Sequence, residues 1–405
     1  MPRPAAPAFL DPGLIETTIE RIVPGGLGMA HITGRTIFVR AAAPGDRVKV
    51  QFERSRGAVA HARIAEILEP GPDRIAPAHP AVAACGLADF AHLAYPAQLA
   101  AKAGMVRDAF RRNGGITLDE TFAVLPSPVE WGYRLRAEWH HDHVQPALGV
   151  IDAGTHRVVD LAEDPLVVPA LAAAYERLHA QAMAGAIPPR VETVRGAAGD
   201  SGVSIELGDA GEAATVHVTV AGDRLAFDAG CFFQSNAALL DALVAEALWQ
   251  GEPSGQRAEP VAIDLYAGVG LFTLALGRAF PRVVAVESHP ESAAHLVGNA
   301  MTAGLRGVRT IALPVEGWLP EGVRSFGKPE LVVVDPPRAG LSEAARKGIV
   351  RLRPERITYV SCDPVTQARD VKELVAAGWE LVRVAGLDMF PQTHHMETVA
   401  HLRRG

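Results

Sequence analysis

The stretch VAIDLYAGVGLFTLALGRAF, residues 261–280, gives the clearest indication of the fold class. An apolar run containing Asp264 leads into a turn with Gly268 and Gly270, and residues with helical apolar spacing follow. In α/β proteins a strand, a glycine turn and a helix in this order form a cofactor site at the carboxyl end of the strand. A dinucleotide fingerprint would need glycine at Thr273, so a nicotinamide-dependent enzyme is disfavoured.

The same alternation of strand and helix continues to the end of the chain. Further apolar segments, VVAVES, LVVVDPP and ITYVSC, are each followed by a helical pattern. This order predicts a parallel, doubly wound α/β sheet over residues 236–405. Glu287 ends the second predicted strand, where a carboxylate can bind both hydroxyls of a ribose, so the pattern indicates a nucleoside site.

The residues before this region predict two further domains. Short alternating segments separated by glycine turns between residues 14 and 68 indicate a small β-barrel over 13–70. A proline-rich linker follows it, and residues 75–235 mix strands and helices as an α+β region. One helix of that region, 95–112, is expected to pack on the catalytic domain.

Composition limits the class of protein. A net charge of −7 leaves no global basic footprint for a polyanion, but residues 35–63 contain seven basic and only two acidic side chains. No apolar run is long enough for a membrane helix, and the first residues do not resemble a signal peptide, so a cytoplasmic protein without membrane contact is expected. The three cysteines are too few for a disulfide framework or a self-contained zinc site.

Two motifs at the predicted sheet edge carry chemistry. In LVVVDPPRAGL, residues 331–341, the prolines after Asp335 fix the direction in which the chain leaves the strand. Methyltransferases that act on amino groups often carry a related motif followed by an aromatic residue. Here Arg338 follows, which disfavours amine methylation and leaves methylation of carbon open.

Cys362, in ITYVSCDP, follows a strand at the same edge and is a candidate nucleophile. Addition of a thiolate to C6 of a pyrimidine makes C5 reactive enough to accept a methyl group from a sulfonium. A base must afterwards remove the C5 proton, and Glu397 in DMFPQTHHMETV is the candidate. His394 and His395 lack a third ligand at metal spacing, so no metal site is expected.

Taken together, the motifs DLYAGVGLFTLALG, VVVDPPRAGL, YVSCDP and DMFPQTHHMETV resemble those of the RNA uracil-C5 methyltransferase family, in the family's order. FFQSN at 232–236 is similar to a further family motif, and residues 14–68 resemble its TRAM barrel, an oligonucleotide-binding type of fold. The resemblance implies S-adenosylmethionine as the methyl donor and structured RNA as the partner. It makes Cys362 the nucleophile and Glu397 the base, and it implies these cofactor contacts: Gln234, Tyr266, Gly268, Gly270, Glu287 and Asp335.

The chain departs from the family pattern at several positions. Some members hold a [4Fe-4S] cluster with four cysteines, whose places here fall on His79, Cys85, Ala88 and, as the best match for the fourth, Asp164. A single thiolate cannot hold such a cluster, so none is expected, and Cys85 is interpreted as a structural relic. Leu271 stands where many relatives have asparagine, and the loop at 314–316 has no clear counterpart.

These observations predict a monomeric enzyme that forms 5-methyluridine, with ribosomal RNA favoured over transfer RNA. An RNA cytosine-C5 methyltransferase is one alternative, although its family uses a differently arranged pair of cysteines. A non-catalytic RNA-binding protein is the other alternative, and the joint presence of Cys362, Glu397, Gln234 and Asp335 argues against it.

Overall fold

The computed structural model describes residues 13–152, 155–208, 213–249 and 260–405. Its first six strands form one sheet, here called the N-terminal sheet, with strand order β1-β5-β6-β4-β3-β2. The strands are β1 Ile15–Thr18, β2 Arg21–Val23, β3 Leu27–Ile32, β4 Arg35–Arg40, β5 Arg47–Arg56 and β6 Val59–Glu69. The sheet curls around one apolar core to which β3, β4, β5 and β6 all contribute, with Val39 and Val48 fully buried.

The central residues add a five-stranded antiparallel sheet with order β10-β9-β8-β11-β12 and a separate hairpin, β13-β14. The helices here are α1 Pro80–Ala84, α2 Tyr95–Ala109 and α3 Pro169–Met183. The strands are β7 Val124–Leu125, β8 Arg136–Asp142, β9 Ala147–Ile151, β10 Val158–Asp160, β11 Thr193–Ala198, β12 Val203–Leu207, β13 Val216–Val220 and β14 Asp223–Phe227.

Helix α2 extends further than the sequence predicts. A π-helical turn, Phe110–Gly114, continues it, and Gly115 ends it in the left-handed conformation with φ of 67°. Because glycine has no Cβ, this conformation is not strained there. Helix α2 and its π-turn lie against α9 of the C-terminal region, whose bounds follow.

The C-terminal region is an eight-stranded sheet flanked by helices, with order β17-β16-β15-β18-β19-β21-β20-β7. Its strands are β15 Val261–Leu265, β16 Arg282–Glu287, β17 Val308–Ala312, β18 Leu331–Val334, β19 Arg356–Ser361, β20 Trp379–Leu387 and β21 Glu397–Arg404. Its helices are α4 Leu240–Ala247, α5 Leu271–Ala279, α6 Pro290–Thr302, α7 Val315–Phe326, α8 Glu343–Leu352 and α9 Pro364–Ala376.

This sheet is not parallel throughout. Strands β15 to β19 run parallel to their neighbours, as the alternation predicts, but β21 inserts antiparallel between β19 and β20. A loop without a helix, residues 388–396, connects β20 to β21, so the chain reverses instead of crossing over. No helix in the described ranges is long and apolar enough to cross a membrane.

The N-terminal sheet is joined to the rest of the molecule by close contacts. Ile22 shares an apolar cluster with Phe90 and with residues of the C-terminal sheet. In the turn between β2 and β3, a Cβ on Gly26 would lie 2.6 Å from Cβ of His394, in the loop before β21. Arg21 forms an ion pair with Asp108 of α2.

Candidate active site

The turn after β15 places backbone and side chains at the carboxyl edge of the sheet. Tyr266, Gly268 and Gly270 all have positive φ, of 63°, 56° and 102°. Positive φ is uncommon for tyrosine and is often found at functional sites. A Cβ on Gly268 would have no atom within 4 Å, which leaves open space beside the turn. Leu271 is buried at the start of α5, so its side chain packs in the core.

Glu287 is held rigidly where β16 ends. Its Oε2 accepts a hydrogen bond from the backbone N–H of Gly268 at 2.8 Å, and its Oε1 accepts one from His289 at 2.6 Å. Oε1 also accepts from the Ser288 hydroxyl at 3.5 Å, whereas Oε2 keeps a second lone pair for a ligand. The two backbone bonds therefore orient the carboxylate toward the same open edge as the glycine turn.

A cavity of about 500 Å³ lies beside Tyr266, with Glu316, Pro337, Gly340 and Ser342 in its lining. The Tyr266 hydroxyl donates to Oε1 of Glu316 at 3.5 Å. Glu316, in the segment 314–316 that the sequence suggested to be a loop, lies in the first turn of α7. Its side chain borders the cavity.

The FFQSN segment brings Gln234 to the edge of the sheet. Nε2 of Gln234 donates to Oδ2 of Asp335 at 3.0 Å, which joins two of the predicted site residues. Phe233 stacks on Phe227 with ring centroids 4.4 Å apart and anchors the segment. Asn236 begins the next helical turn, because its Oδ1 accepts from the backbone N–H of Ala238 at 3.1 Å.

Strand register brings Cys362 and Glu397 together. Ser361 pairs with Thr398 at the end of the antiparallel ladder between β19 and β21; Cys362 directly follows Ser361, and Glu397 directly precedes Thr398. Oγ1 of Thr398 donates to the Ser361 carbonyl at 3.0 Å and fixes this end of the ladder. Cys362 is half-buried and Glu397 is buried. The predicted nucleophile and base therefore come from neighbouring strands.

Burial dominates the electrostatics of the site. Burial and the nearby carboxylate of Asp335 raise the pKa of Glu397 well above its usual range, and burial raises the pKa of Asp335 to about 7. Oε1 of Glu397 has no hydrogen-bond partner among the described residues. Burial and the charge of Glu397 raise the pKa of Cys362 to about 12, while the Arg338 guanidinium acts in the opposite direction.

The loop 388–396 is fixed by side chains of α2. Lys102, fully buried, forms an ion pair with Asp388 and donates to the Phe390 carbonyl at 3.0 Å. Oε1 of Gln98 accepts from the backbone N–H of Gln392 at 2.9 Å. No motif of the sequence predicted this support, although Gln98 and Lys102 stand four residues apart among the apolar residues of the first turns of the helix.

His394 and His395 support the loop. Nδ1 of His394 lies 2.6 Å from Oδ2 of Asp89, and the two histidine rings are 4.0 Å apart. Burial, together with the nearby His394 and Arg338, lowers the pKa of His395 to about 3, so this ring is neutral. In the part of the chain that the structure describes, no third metal ligand lies with this pair.

The four positions aligned with the cluster cysteines of some relatives hold ordinary packing contacts. Nδ1 of His79 lies 2.8 Å from Oε1 of Glu163, and the Cys85 thiol donates to the Val82 carbonyl at 3.3 Å. Ala88 is buried. Asp164 accepts from the indole Nε1–H of Trp139 at 3.0 Å. That the protein lacks a cluster stays a prediction.

The basic stretch 35–63 contains side chains in ion pairs and a cluster of basic and aromatic side chains on one face. Arg47 forms ion pairs with Glu16 and Glu69, and Lys49 with Glu66, so these charges are largely neutralised. A further set of side chains shares one face of β4, β6 and β5, here called the arginine face: Phe38, Arg40, Arg54, His61 and Arg63. Phe38 and His61 lie across the strands with ring centroids 5.5 Å apart.

Comparison with known proteins adds independent evidence. A family profile described as tRNA (uracil-5-)-methyltransferase matches residues 211–405, and a TRAM domain profile matches residues 15–65. The chain is 32% identical to a 23S rRNA (uracil(1939)-C(5))-methyltransferase of Alkalilimnicola ehrlichii, covering 96% of each chain. It is 31% identical to an RNA methyltransferase of Gloeobacter violaceus, covering 99% of each.

A solved structure has the same fold over nearly the whole chain. It is the tRNA (uracil-54, C5)-methyltransferase of Pyrococcus abyssi in complex with S-adenosyl-L-homocysteine, with a TM-score of 0.73 and 24% identity. The likeness covers 96% of this chain and 100% of that one. The α/β class, the Rossmann-like domain and the N-terminal TRAM domain predicted from the sequence are thereby confirmed.

Proposed function

This chain belongs to the family of RNA uracil-C5 methyltransferases, which are S-adenosylmethionine-dependent enzymes, and we propose that it acts on 23S ribosomal RNA through a covalent cysteine mechanism. The observation that supports the mechanism most directly is that Cys362 and Glu397 directly adjoin Ser361–Thr398, the last pair of the β19–β21 ladder, and that the charge of Glu397 acts on the Cys362 thiol. The Gln234–Asp335 pair comes from the same sheet edge.

The residues at the edge fit S-adenosylmethionine. When bound, this cofactor supplies a methyl group activated by a sulfonium. The fixed Glu287 carboxylate would accept hydrogen bonds from ribose hydroxyls, and the open space beside Gly268 would admit the cofactor close to the backbone. Tyr266 and Glu316 border the cavity that would hold the base. Asp335, oriented by Gln234, would hold a polar group of the cofactor or of the uracil.

Cys362 supplies the nucleophile. Its thiol loses a proton to solvent, and the sulfur then forms a bond to C6 of uracil, which places negative charge on C5 and its neighbouring carbonyl. The Arg338 guanidinium favours this ionisation, because it lowers the pKa of a thiol that burial otherwise raises. We therefore assign Arg338 to electrostatic support of the thiolate.

Glu397 acts after methyl transfer. Its carboxylate removes the proton from C5, the electron pair reforms the C5–C6 double bond, and the sulfur leaves as a thiolate. The buried position raises the basicity of Glu397, since the same environment raises its pKa. Its Oε1, without a partner among the described residues, is available to accept that proton.

The arginine face and Phe232 are the proposed RNA contacts. Arg40 and Arg54 form no ion pair with a described residue, and basic side chains beside an aromatic ring suit phosphates and stacked bases. Phe232, two residues before Gln234, is 60% exposed and lies under the Arg136 guanidinium at 5.6 Å. An exposed aromatic ring at this position could stack on a base that has left its helix.

Ribosomal RNA is proposed because a relative that matches along its whole length is named for U1939 of 23S rRNA. The test is incubation of the purified chain with methyl-labelled S-adenosylmethionine and total RNA from a strain lacking the gene. Label in 5-methyluridine of 23S rRNA is the expected result. Label in transfer RNA would reject the substrate, and label in 5-methylcytidine, or none, would reject the reaction.

A further inference from the structure

Apart from the residues proposed to react, five side chains able to bind a metal form two groups of three. Ligand atoms of Asp228, Cys231 and His295 all lie within 4.8 Å of one another, and so do those of Cys231, His289 and Glu291. The Cys231 sulfur belongs to both groups. These residues come from the loop after β14 and from the start of α6, two segments far apart in the sequence.

We propose that the first of these groups binds a divalent transition-metal ion, best matched by zinc, through Cys231, His295 and Asp228, with a water molecule as the fourth ligand. Thiolate, imidazole and carboxylate together suit zinc, whereas calcium and magnesium prefer oxygen ligands alone. The sequence predicts no metal here, because motif spacing detects ligands only within one segment. This proposal does not rest on the methyltransferase activity.

The ligands are oriented as they would be in a metal site. Oδ1 of Asp228 accepts from the backbone N–H groups of Gly230 at 2.9 Å and Cys231 at 3.1 Å, which directs Oδ2 inward. Oδ2 lies 2.8 Å from Nε2 of His295. Such outer contacts fix the direction of metal ligands.

Negative charge accumulates beside the thiol. A Cβ on Gly230 would meet oxygens of Asp228, Glu206 and Glu291 at 3.3, 3.3 and 3.4 Å. Arg195 pairs with Glu206 through the other carboxylate oxygen. A divalent cation beside the thiol would be attracted by the carboxylates of Asp228 and Glu291. A cavity of about 390 Å³ lined by Asp228, Glu291 and His295 gives access from solvent.

Binding would exchange a proton for the metal. As the sulfur–metal bond forms, the S–H bond of Cys231 breaks and its proton leaves to solvent.

The test uses the full chain, stripped of metal with a chelator and titrated with Co²⁺ in the absence of RNA and cofactor. The expected result is one equivalent bound, with a thiolate-to-cobalt absorption band that Zn²⁺ abolishes by displacement. Cys231→Ser should remove the band, and His295→Ala should weaken binding at least tenfold. Cys85→Ser is the matched control and should change neither.

Absence of the band in the wild type, or its persistence in Cys231→Ser, would overturn the proposal. Because Cys231 is buried, its substitution could impair folding, so the partly exposed His295→Ala carries the same test. A rise in the thermal midpoint with Zn²⁺ in the wild type, absent in His295→Ala, is expected from binding to the folded state alone. Equal rises in both would also overturn the proposal.

Discussion

Charged side chains differ in exposure between the N-terminal sheet and the carboxyl edge of the C-terminal sheet. On the N-terminal sheet the charges are exposed, and several are neutralised by pairs such as Arg47 with Glu16 and Glu69. At the edge, the carboxyl groups of Asp264 and Glu397 are buried, and each has one oxygen without a partner among the described residues.

Exposed arginines and buried carboxyl groups suit different functions. An exposed arginine costs little to maintain and attracts RNA over a distance set by ionic strength. A buried carboxyl group costs free energy because it loses hydration, and that cost raises its affinity for a proton. The edge thus has the properties of a site for proton transfer, and the N-terminal sheet has those of a binding surface.

The largest effect on activity is expected from Cys362→Ala, which removes the proposed nucleophile at the sheet edge. Without the thiol no bond to C6 can form, so methyl transfer should fall below detection in a labelled-donor assay. Filter binding should show RNA affinity close to that of the wild type, because the arginine face is untouched. Cys85→Ala is the control and should retain turnover. Retained turnover in Cys362→Ala would reject the covalent mechanism.

Glu397→Gln should allow methyl transfer to C5 but prevent removal of the C5 proton. Loss of a general base typically lowers the rate by about 10²–10⁴-fold. Because the sulfur then cannot leave, a covalent complex with methylated RNA should accumulate and appear as a slower band on a denaturing gel. Slow turnover without such a band would mean that another group removes the C5 proton.

Asp264→Asn tests the cost of burial directly. Burial raises the pKa of Asp264 to about 7 in the folded chain, above its pKa in the unfolded chain. The protonated carboxyl group therefore stabilises the folded state, fully below the unfolded pKa, and this stabilisation is lost as the pH rises through 7. From pH 5 to pH 8 the wild type should lose about 3 kcal/mol of unfolding free energy relative to Asp264→Asn. Urea denaturation measures this, with the exposed Glu380→Gln as control. An equal pH dependence in all three proteins would contradict it.

The smallest effect concerns the N-terminal sheet. Arg40→Gln with Arg54→Gln should lower the slope of log affinity against log salt by up to about 2, one for each phosphate contact. Arg47→Gln is the matched control, because its guanidinium is already paired with carboxylates, and it should leave the slope nearly unchanged. If Arg47→Gln changed the slope as much as the double variant, the arginine face would not be the binding surface.

Local patterns predicted much of the fold, because strand, turn and helix near Gly268 are determined by neighbouring residues. The placement of Cys362 near Glu397 depends instead on the antiparallel insertion of β21, which joins strands distant in sequence. Hydropathy does not encode that register. The buried Lys102–Asp388 pair was not predicted either, because its two residues are 286 positions apart in the sequence. The roles of the site residues stay predictions.

The contact between Gly26 and His394 has a consequence for how an RNA would be selected. Because the turn of the N-terminal sheet packs directly on the loop before β21, the separation between the arginine face and Cys362 is set by the fold. With RNA phosphates bound at the arginine face and the target uridine at Cys362, the fold therefore fixes the distance along the RNA between the two. Inserting one nucleotide between the phosphates that are gripped and the target uridine should abolish modification even when the surrounding sequence is kept.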